Sequence, residues 1–506
     1  MKRFAWLLLV TACGSLPLAA SDGGDDTGAD DAALDGSATD GTILDGTLSD
    51  GASDGGASDG ATNEASTDAA KETSCVLDGA TPDAFADLDA ATSGWGQTYG
   101  QGEFRSAAVD SKGHVLLGGS AGNNADMDFF LQEVDSAGSS IWTKKVGSTA
   151  SYVNHRAWAV AYDTNGAMYA AGETDDAIDL GGGSLGPGGF VVKYDASGNF
   201  VWEYGPFANT QFYAMRVRPN GNVVAVGSLQ GTANYGGGSL SSVSGSVDAL
   251  LVEVTSCKSF VRSQIWGDGS DQEVRGIAID ASGDLFLGGR FAGSLDFGGG
   301  AMTGPTNGFN VYDMFVAKLD ANASYLHQLE TGSASDNSLD SVDVNASGNV
   351  FVTGHVAEGD SVNLGGGKLT ASGAYDMFVG ELDSSLGYVW AKHVGASGSG
   401  DLAQGHVAIA DPFAGVVVVG QYGGADINFG QGAFSNGQGP FIARYDSTGT
   451  CVASWGSSPN PGQAAYAYAG AYLSWPDFII GGGATASFTA PSGSVGAGAF
   501  ALRIKP

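Results

Sequence analysis

The sequence predicts an all-β fold, a seven-bladed β-propeller in which an N-terminal strand closes the last blade. Three observations predict it. A strand–turn–strand–strand unit recurs along the chain, the apolar runs are short and β-branched, and one strand missing at the C-terminal end is present at the N-terminal end. The clearest copy of the unit is Ile279-Asp-Ala-Ser-Gly-Asp-Leu-Phe-Leu-Gly-Gly289 followed by Asp313-Met-Phe-Val-Ala-Lys-Leu-Asp320. It reads as strand, Asp-Gly turn, strand ending in Gly, a Gly-rich insert, and a third strand closed by Asp.

Residues 1–20 stand outside this pattern. Lys2 and Arg3 precede an apolar run, Phe4 to Val10, that is far too short to span a bilayer. The run leads into Leu9-Val-Thr-Ala-Cys13, which resembles the lipobox of bacterial lipoproteins. That resemblance implies cleavage before Cys13 and lipid on its thiol and new amine. Gly14 after it, rather than Asp, implies outer-membrane delivery on either leaflet. The competing reading is an ordinary signal peptide cleaved near Ala20. Residues 21–72 are almost entirely Ser, Asp, Gly, Ala and Thr, with Asp-Gly pairs at Asp35, Asp40, Asp45, Asp50, Asp54 and Asp59. Such a stretch buries too little surface to offset its ordering entropy, so it is expected to be a disordered acidic tether. Calcium binding there would need an Asp-x-Asp-x-Asp-Gly loop or a Gly-Gly-x-Gly-x-Asp repeat, and neither occurs. Residues 73–94 form a pre-strand segment, and the repeats occupy 95–506.

The second strand of each repeat is expected to end at Gly119, Gly172, Gly227, Gly289, Gly354, Gly420 and Gly482, about 53 to 66 residues apart. Runs such as Val223 to Val226 and Val416 to Val419 are continuous rather than alternating, which suits strands buried on both faces between neighbouring blades. No long stretch keeps a 3.6-residue apolar beat, so no substantial helix is expected. Fourth strands follow as Ile141 to Val146, Val201 to Tyr204, Phe260 to Ile265, Tyr325 to Leu329, Tyr388 to Val394 and Cys451 to Trp455. The chain stops after the seventh third strand. Trp95-Gly-Gln-Thr-Tyr-Gly100 has the Trp-to-Gly spacing of Trp142 to Gly147 and Trp390 to Gly395, so it is expected to supply the missing strand and leave no open edge. An open solenoid would give those residues no role.

Tight turns such as Asp110-Ser-Lys-Gly113, Arg218-Pro-Asn-Gly221, Asp280-Ala-Ser-Gly283 and Asp446-Ser-Thr-Gly449 join strands one to two and three to four. Asp or Asn can hydrogen-bond the backbone two residues on, and Gly accepts a positive φ. One carboxylate per turn is therefore a turn device rather than a metal ligand. The connections through Asp179-Leu-Gly-Gly-Gly183 and its equivalents are longer, and the face they share with the loops between repeats is expected to carry recognition. Lining up the first strands on their turns places Arg105, Trp158, Tyr213, Arg275, Asp340, Gly405 and Tyr468 at one equivalent position near that face. Stacking on and hydrogen bonding to a sugar or peptide is one reading of this set; inter-blade packing is the other.

Catalytic and metal motifs are not found. The histidines 114, 155, 327, 355, 393 and 406 are scattered with no His-Glu-x-x-His, and His327 takes a tryptophan's strand position, which suggests packing. No nucleophile elbow occurs in a strand-to-helix context, and no helix offers its N-terminus to phosphate. Carboxylates converging from different blades keep an extracytoplasmic carbohydrate-active enzyme open as an alternative. The formal net charge of −34 argues against nucleic acid and against adsorption to anionic lipid. No cofactor is expected. After Cys13, Cys75, Cys257 and Cys451 are an odd set that allows one disulfide, with Cys75–Cys451 preferred and Cys75–Cys257 its rival.

The repeat motifs resemble the bacterial β-propeller repeat family (SBBP-type repeats), with Val-Asp-x-x-Gly-Asn-x-Tyr-x-x-Gly and Asp-x-Phe-x-x-Lys-Leu signatures. They appear here as Ile279 to Gly289 with Asp313 to Leu319, Val344 to Gly354, and Asp376 to Leu382. Leu473-Ser-Trp-Pro-Asp477 departs most. The resemblance spans nearly all of 95–506 and implies extracytoplasmic surface proteins without shared catalytic residues. The resulting expectation is a lipid-anchored, monomeric binding or scaffold module, with the membrane as one partner and a glycan or protein at the elaborated face as another. A purely structural surface component is the further alternative.

Overall fold

The computed structural model describes residues 94–504 apart from 124–125, 149, 151, 307–310, 333–334, 396–397, 399, 425–426, 435–436, 458–462 and 475. The expected signal peptide, Cys13, the 21–72 tether, the 73–93 segment and Cys75 lie outside the described residues. So do both disulfide pairings, since each requires Cys75.

The described chain is all-β, with a single 3-10 turn at Val243–Gly245 as its helical element. The repeats fold as antiparallel four-stranded sheets in a propeller-like arrangement. In the third repeat the strands are Thr210–Val217, Val223–Gln230, Val247–Val254 and Phe260–Trp266, paired in that order. The other repeats follow the same order. A single parallel bridge, Tyr375 to Leu402, links the fifth and sixth. In the last repeat Ala465–Ser474, Asp477–Ala484 and Gly498–Ile504 are joined by the N-terminal Gly96–Thr98, with Gly96 opposite Leu502 and Thr98 opposite Phe500. Backbone bonds flank this pairing: Arg503 N–H donates to the Trp95 carbonyl and Tyr99 N–H to that of Ala499, both at 2.8 Å.

The apolar clusters lie between sheets rather than within them. Val224, Leu251, Ile277, Leu287 and Phe315 join the third and fourth repeats, and Ile409, Val419, Ile480 and Phe500 the sixth and seventh. One more cluster packs Trp95, Ala469 and Ile479 against Phe104, Leu117 and Phe130 of the first repeat. This is why the second strands are apolar on both faces: all seven residues of Met168–Thr174 are buried.

The tryptophan of the fourth strand covers the next repeat's turn. Trp95 Nε1 donates to the Ser136 carbonyl at 2.9 Å, and Trp202 Nε1 to that of Ser256 at 2.8 Å. A Cβ on Gly138 would come within 2.6 Å of the Trp95 ring, and one on Gly449 within 2.6 Å of Trp390, so glycine there makes room for the indole as well as for a positive φ. His327 does not replace a tryptophan in packing, contrary to expectation: it is exposed, and the following turn fills the space with the buried Leu386 instead of glycine.

The turn device occurs where Asp or Asn opens the turn. Asp280 Oδ1 accepts the N–H groups of Ser282 and Asp284 at 2.9 Å each, and Asp446 Oδ1 those of Thr448 and Thr450. The Gly-rich inserts use it too. Asp179 Oδ1 accepts from Gly181 and Gly183, and the insert closes as a small hairpin, Ile178–Asp179 against Ser184–Leu185. Its glycines lie flat on the first side chain of the fourth strand, Phe200, where a Cβ on Gly182 would stand 2.5 Å from the ring. Phe260, Tyr325 and Tyr388 take that place in later repeats, and in the sixth it is Cys451, buried beneath Gly430 with its thiol pushed up to about 11 by burial.

Candidate functional site

The second strands do not end at their glycines, as expected; they run on to Asn123, Thr174, Gln230, Phe291, Ala357, Gly424 and Ala484. The glycine serves another purpose. Opposite each one the first strand carries a β-bulge, between Phe104 and Ser106, Phe212 and Ala214, Val274 and Gly276, and likewise in the other repeats. The bulge drives a carbonyl into the space a side chain would need. A Cβ on Gly119 would lie 2.0 Å from the Glu103 oxygen, one on Gly227 1.8 Å from that of Gln211, and one on Gly420 1.9 Å from that of Gln404. A bulge leaves its extra residue outside the ladder and re-aims its side chain.

Those extra residues are the candidate set, with one correction. Arg105, Trp158, Tyr213, Arg275, Asp340 and Tyr468 all sit at bulges, but in the sixth repeat the residue is His406, not Gly405. The left-handed turn position there is held by Ala414 (φ 60°), so the turn starts at Asp411 and the equivalent position falls one residue later. Gly405 instead lies buried between sheets, beneath Thr353 and Met377.

The seven side chains touch in order. The Arg105 guanidinium lies 4.1 Å from the Tyr468 ring centre and 5.3 Å from that of Trp158. Trp158 meets Tyr213 edge-on at 6.1 Å, and Tyr213 lies 5.5 Å from the Arg275 guanidinium. Arg275 approaches Asp340 at 3.9 Å, Asp340 lies 3.6 Å from His406, and the His406 ring is 4.9 Å from that of Tyr468. The contacts thus return to the residue at which they start. We refer to this set as the belt.

Cross-strand pairs that the sequence reading missed support the belt from one side. Glu103 holds Arg105 through its Nε at 2.7 Å. Glu273 binds Arg275 at 2.8 Å and its cross-strand partner Arg290 at 3.0 Å, while Glu173 faces Arg156 at 3.8 Å and accepts Trp158 Nε1 at 3.2 Å. Gln404 and Gln421 bond each other across the sixth repeat, and Ser338 pairs with His355 across the fifth. These residues lie two before each bulge and one after each glycine, a spacing readable in the sequence once the bulge is known.

The electrostatics divide the belt. Burial alone would raise the Glu273 carboxyl, but the Arg275 and Arg290 charges hold it down at about 2. Burial also works against Asp340, yet His355, His406 and Arg275 keep it well below the usual carboxylate range. Burial pushes His406 down against the pull of Asp340, and it pushes Glu173 up against Arg156. Among the described residues no group of three or more His, Cys, Asp or Glu side chains is arranged to hold a metal ion.

No protein-family model and no curated protein matches the chain. Among solved structures it is similar to a protein of unknown function from Bacteroides caccae, at 12% identity and a TM-score of 0.35, over 68% of this chain and 93% of that one. YCF48 bound to a D1 peptide matches at 10% identity and 0.39, over 84% and 100%, and the Neurospora crassa Pan2 WD40 domain at 9% and 0.42, over 80% and 90%. At these scores the likenesses carry nothing about what this chain does.

Proposed function

We propose that residues 95–506 form a seven-bladed ring closed by the N-terminal strand, and that the chain is a lipid-anchored, extracytoplasmic binding or scaffold module with its site at the belt. The observation that carries the reading is the belt itself: every repeat uses a bulge to turn one large polar or aromatic side chain out of its ladder. A purely structural ring has no need of five residue types spread over seven equivalent positions. The pairing of Gly96–Thr98 with Gly498–Ile504 supports the closure. The positive start, apolar run and Cys13 support the anchor.

The test is retention of the purified chain on sedimented envelope material from the cells that make it. Saturable retention is expected, weakened at least tenfold by His406→Ala at unchanged fold. Retention that never saturates, or is indifferent to that substitution, overturns the site. Closure has its own measurement. A chain starting at residue 101 exposes the edge of Gly498–Ile504 and should lose several kcal/mol relative to one starting at residue 90, on the order of a small domain's whole stability. Equal melting temperatures would reject the ring.

The enzyme alternative draws on Glu173, held up, and Glu273, held down, both of which bear on Tyr213. Release of reducing sugar from any polysaccharide would favour it.

A further inference from the structure

The belt is not equally satisfied around its circumference. Arg105, Arg156, Arg275 and Arg290 each have a carboxylate within 3.8 Å on their own sheet, and Arg105 covers the faces of both Trp158 and Tyr468. An anionic ligand would have to break one of these pairs, and a sugar seeking an aromatic face would find those two already occupied by a guanidinium. The arc built by the fifth and sixth repeats is different. There His406 Nε2 and Gln421 Oε1 are buried without a hydrogen-bond partner. His355 and His406 approach the same Asp340 oxygen at 3.3 and 3.6 Å, and Gln421 bonds Gln404, two residues before His406 on the same strand. Buried polar groups without partners are costly to the fold, so they are answered by whatever fills the site.

The chemistry of that filler follows from the atoms left over. The amide oxygen only accepts, and an imidazole nitrogen donates or accepts according to its tautomer. A ligand meeting both must donate to Gln421 Oε1 and exchange either role with His406 Nε2, while Asp340, already bonded by the Ser338 hydroxyl and approached by both histidines, orients the imidazoles. Hydroxyl groups do both. A charged ligand is disfavoured because the guanidinium charges of the belt are already paired, and an unpaired buried charge is expensive.

Resting on the reading of the belt as a binding site, we infer that the Asp340–His355–His406–Gln421 arc takes a neutral polyhydroxylated ligand, a sugar residue held through its hydroxyls. The bulge of the sixth repeat is then the position that sets specificity, since only there does an imidazole meet both a carboxylate and the Tyr468 ring.

The experiment is a printed array of neutral oligosaccharides (glucose, galactose, mannose and N-acetylglucosamine types) beside uronate and sialylated ones, probed with the full chain. Binding to neutral spots is expected, reduced at least tenfold by Gln421→Ala and by His406→Ala and largely kept by His355→Gln, which preserves a hydrogen-bonding side chain. Melting temperature and near-ultraviolet dichroism, recorded for each variant, show which of them remain folded. A preference for acidic spots overturns the inference, as does neutral binding unchanged in folded Gln421→Ala or His406→Ala. If the folded wild-type chain binds no spot yet is still retained saturably on envelope material, the ligand class is wrong and the module reading stands. If both fail, the site itself is wrong.

Discussion

Two glycines six residues apart in the third repeat occupy opposite situations. Gly221 closes a turn at φ 81°, and the nearest neighbour to a Cβ there would be the Ser256 side chain at 3.1 Å. Gly227 has an ordinary extended backbone, but its Cβ would lie 1.8 Å from the Gln211 carbonyl oxygen and 3.0 Å from the Phe212 Cα. One is glycine because of its own dihedral, the other because another backbone is in the way. The chain shows the difference in its own variation. The left-handed place that Gly221 fills is held by Ala414 in the equivalent turn of the sixth repeat, and by Lys258, Ala323 and Leu386 in turns between third and fourth strands, all at positive φ. The position of Gly227 is glycine in every repeat, from Gly119 to Gly482.

The largest expected effect is therefore Gly227→Ala. The Gln211 carbonyl belongs to a bulge held between two sheets and cannot retreat, so the substitution should cost more than about 3 kcal/mol, beyond the usual range for overpacking. Gly221→Ala should cost only about 1 kcal/mol, the penalty of one left-handed alanine. Urea melts of the two variants measure the gap. Equal losses would mean that the bulge relaxes easily, and the account of the belt as a rigid mounting would fall with it.

The same contrast separates what was legible in the sequence from what was not. The turn device, the two-face burial of the second strands and the role of Trp95 to Gly100 all follow from local chemistry or from counting. The positions of Arg105, Trp158, Tyr213, Arg275 and Asp340 were readable because their turns are regular, and that of Tyr468 because its departing turn keeps the same distance from the bulge. His406 was missed by one residue because Asp411-Pro-Phe-Ala-Gly415 places alanine, not glycine, in the left-handed position. The bulge was invisible, since an extra unpaired residue leaves no compositional mark on its own strand and shows only as the glycine opposite. His327 was misread because strand position alone cannot tell whether the next turn leaves room for a ring. The partners Glu103, Glu273 and Gln421 required the cross-strand register.

A third kind of glycine sharpens the comparison, because its neighbour is a titratable side chain. A Cβ on Gly332 would lie 2.2 Å from Asp313 Oδ1, as one on Gly147 would from Asp128 and one on Gly395 from Asp376 at 1.7 and 1.8 Å. This explains the aspartate that opens the third-strand motif: its carboxylate is folded under the end of the fourth strand. Asp313 is buried, its oxygen accepting the Met314 N–H at 2.7 Å, and burial, aided by nearby Glu330, raises its carboxyl from the ordinary 3.8 to about 6. Because the folded value lies above the unfolded one, the fold penalises the ionised form. That penalty is absent below about pH 4, grows as pH rises, and is fully present above about pH 6. Asn is neutral at every pH, keeps an oxygen for the Met314 N–H and offers an amide to Glu330. Asp313→Asn should therefore stabilise the chain by about 2 kcal/mol at pH 7.5, since a shift of this size is worth at most roughly 3 kcal/mol. At pH 4 it should change stability by less than about 0.5 kcal/mol. Thermal melts of both chains at the two pH values give the difference directly. A gain of equal size at pH 4 would show that the effect is packing rather than charge, and a loss at pH 7.5 would show that the ionised carboxylate is the form the fold requires.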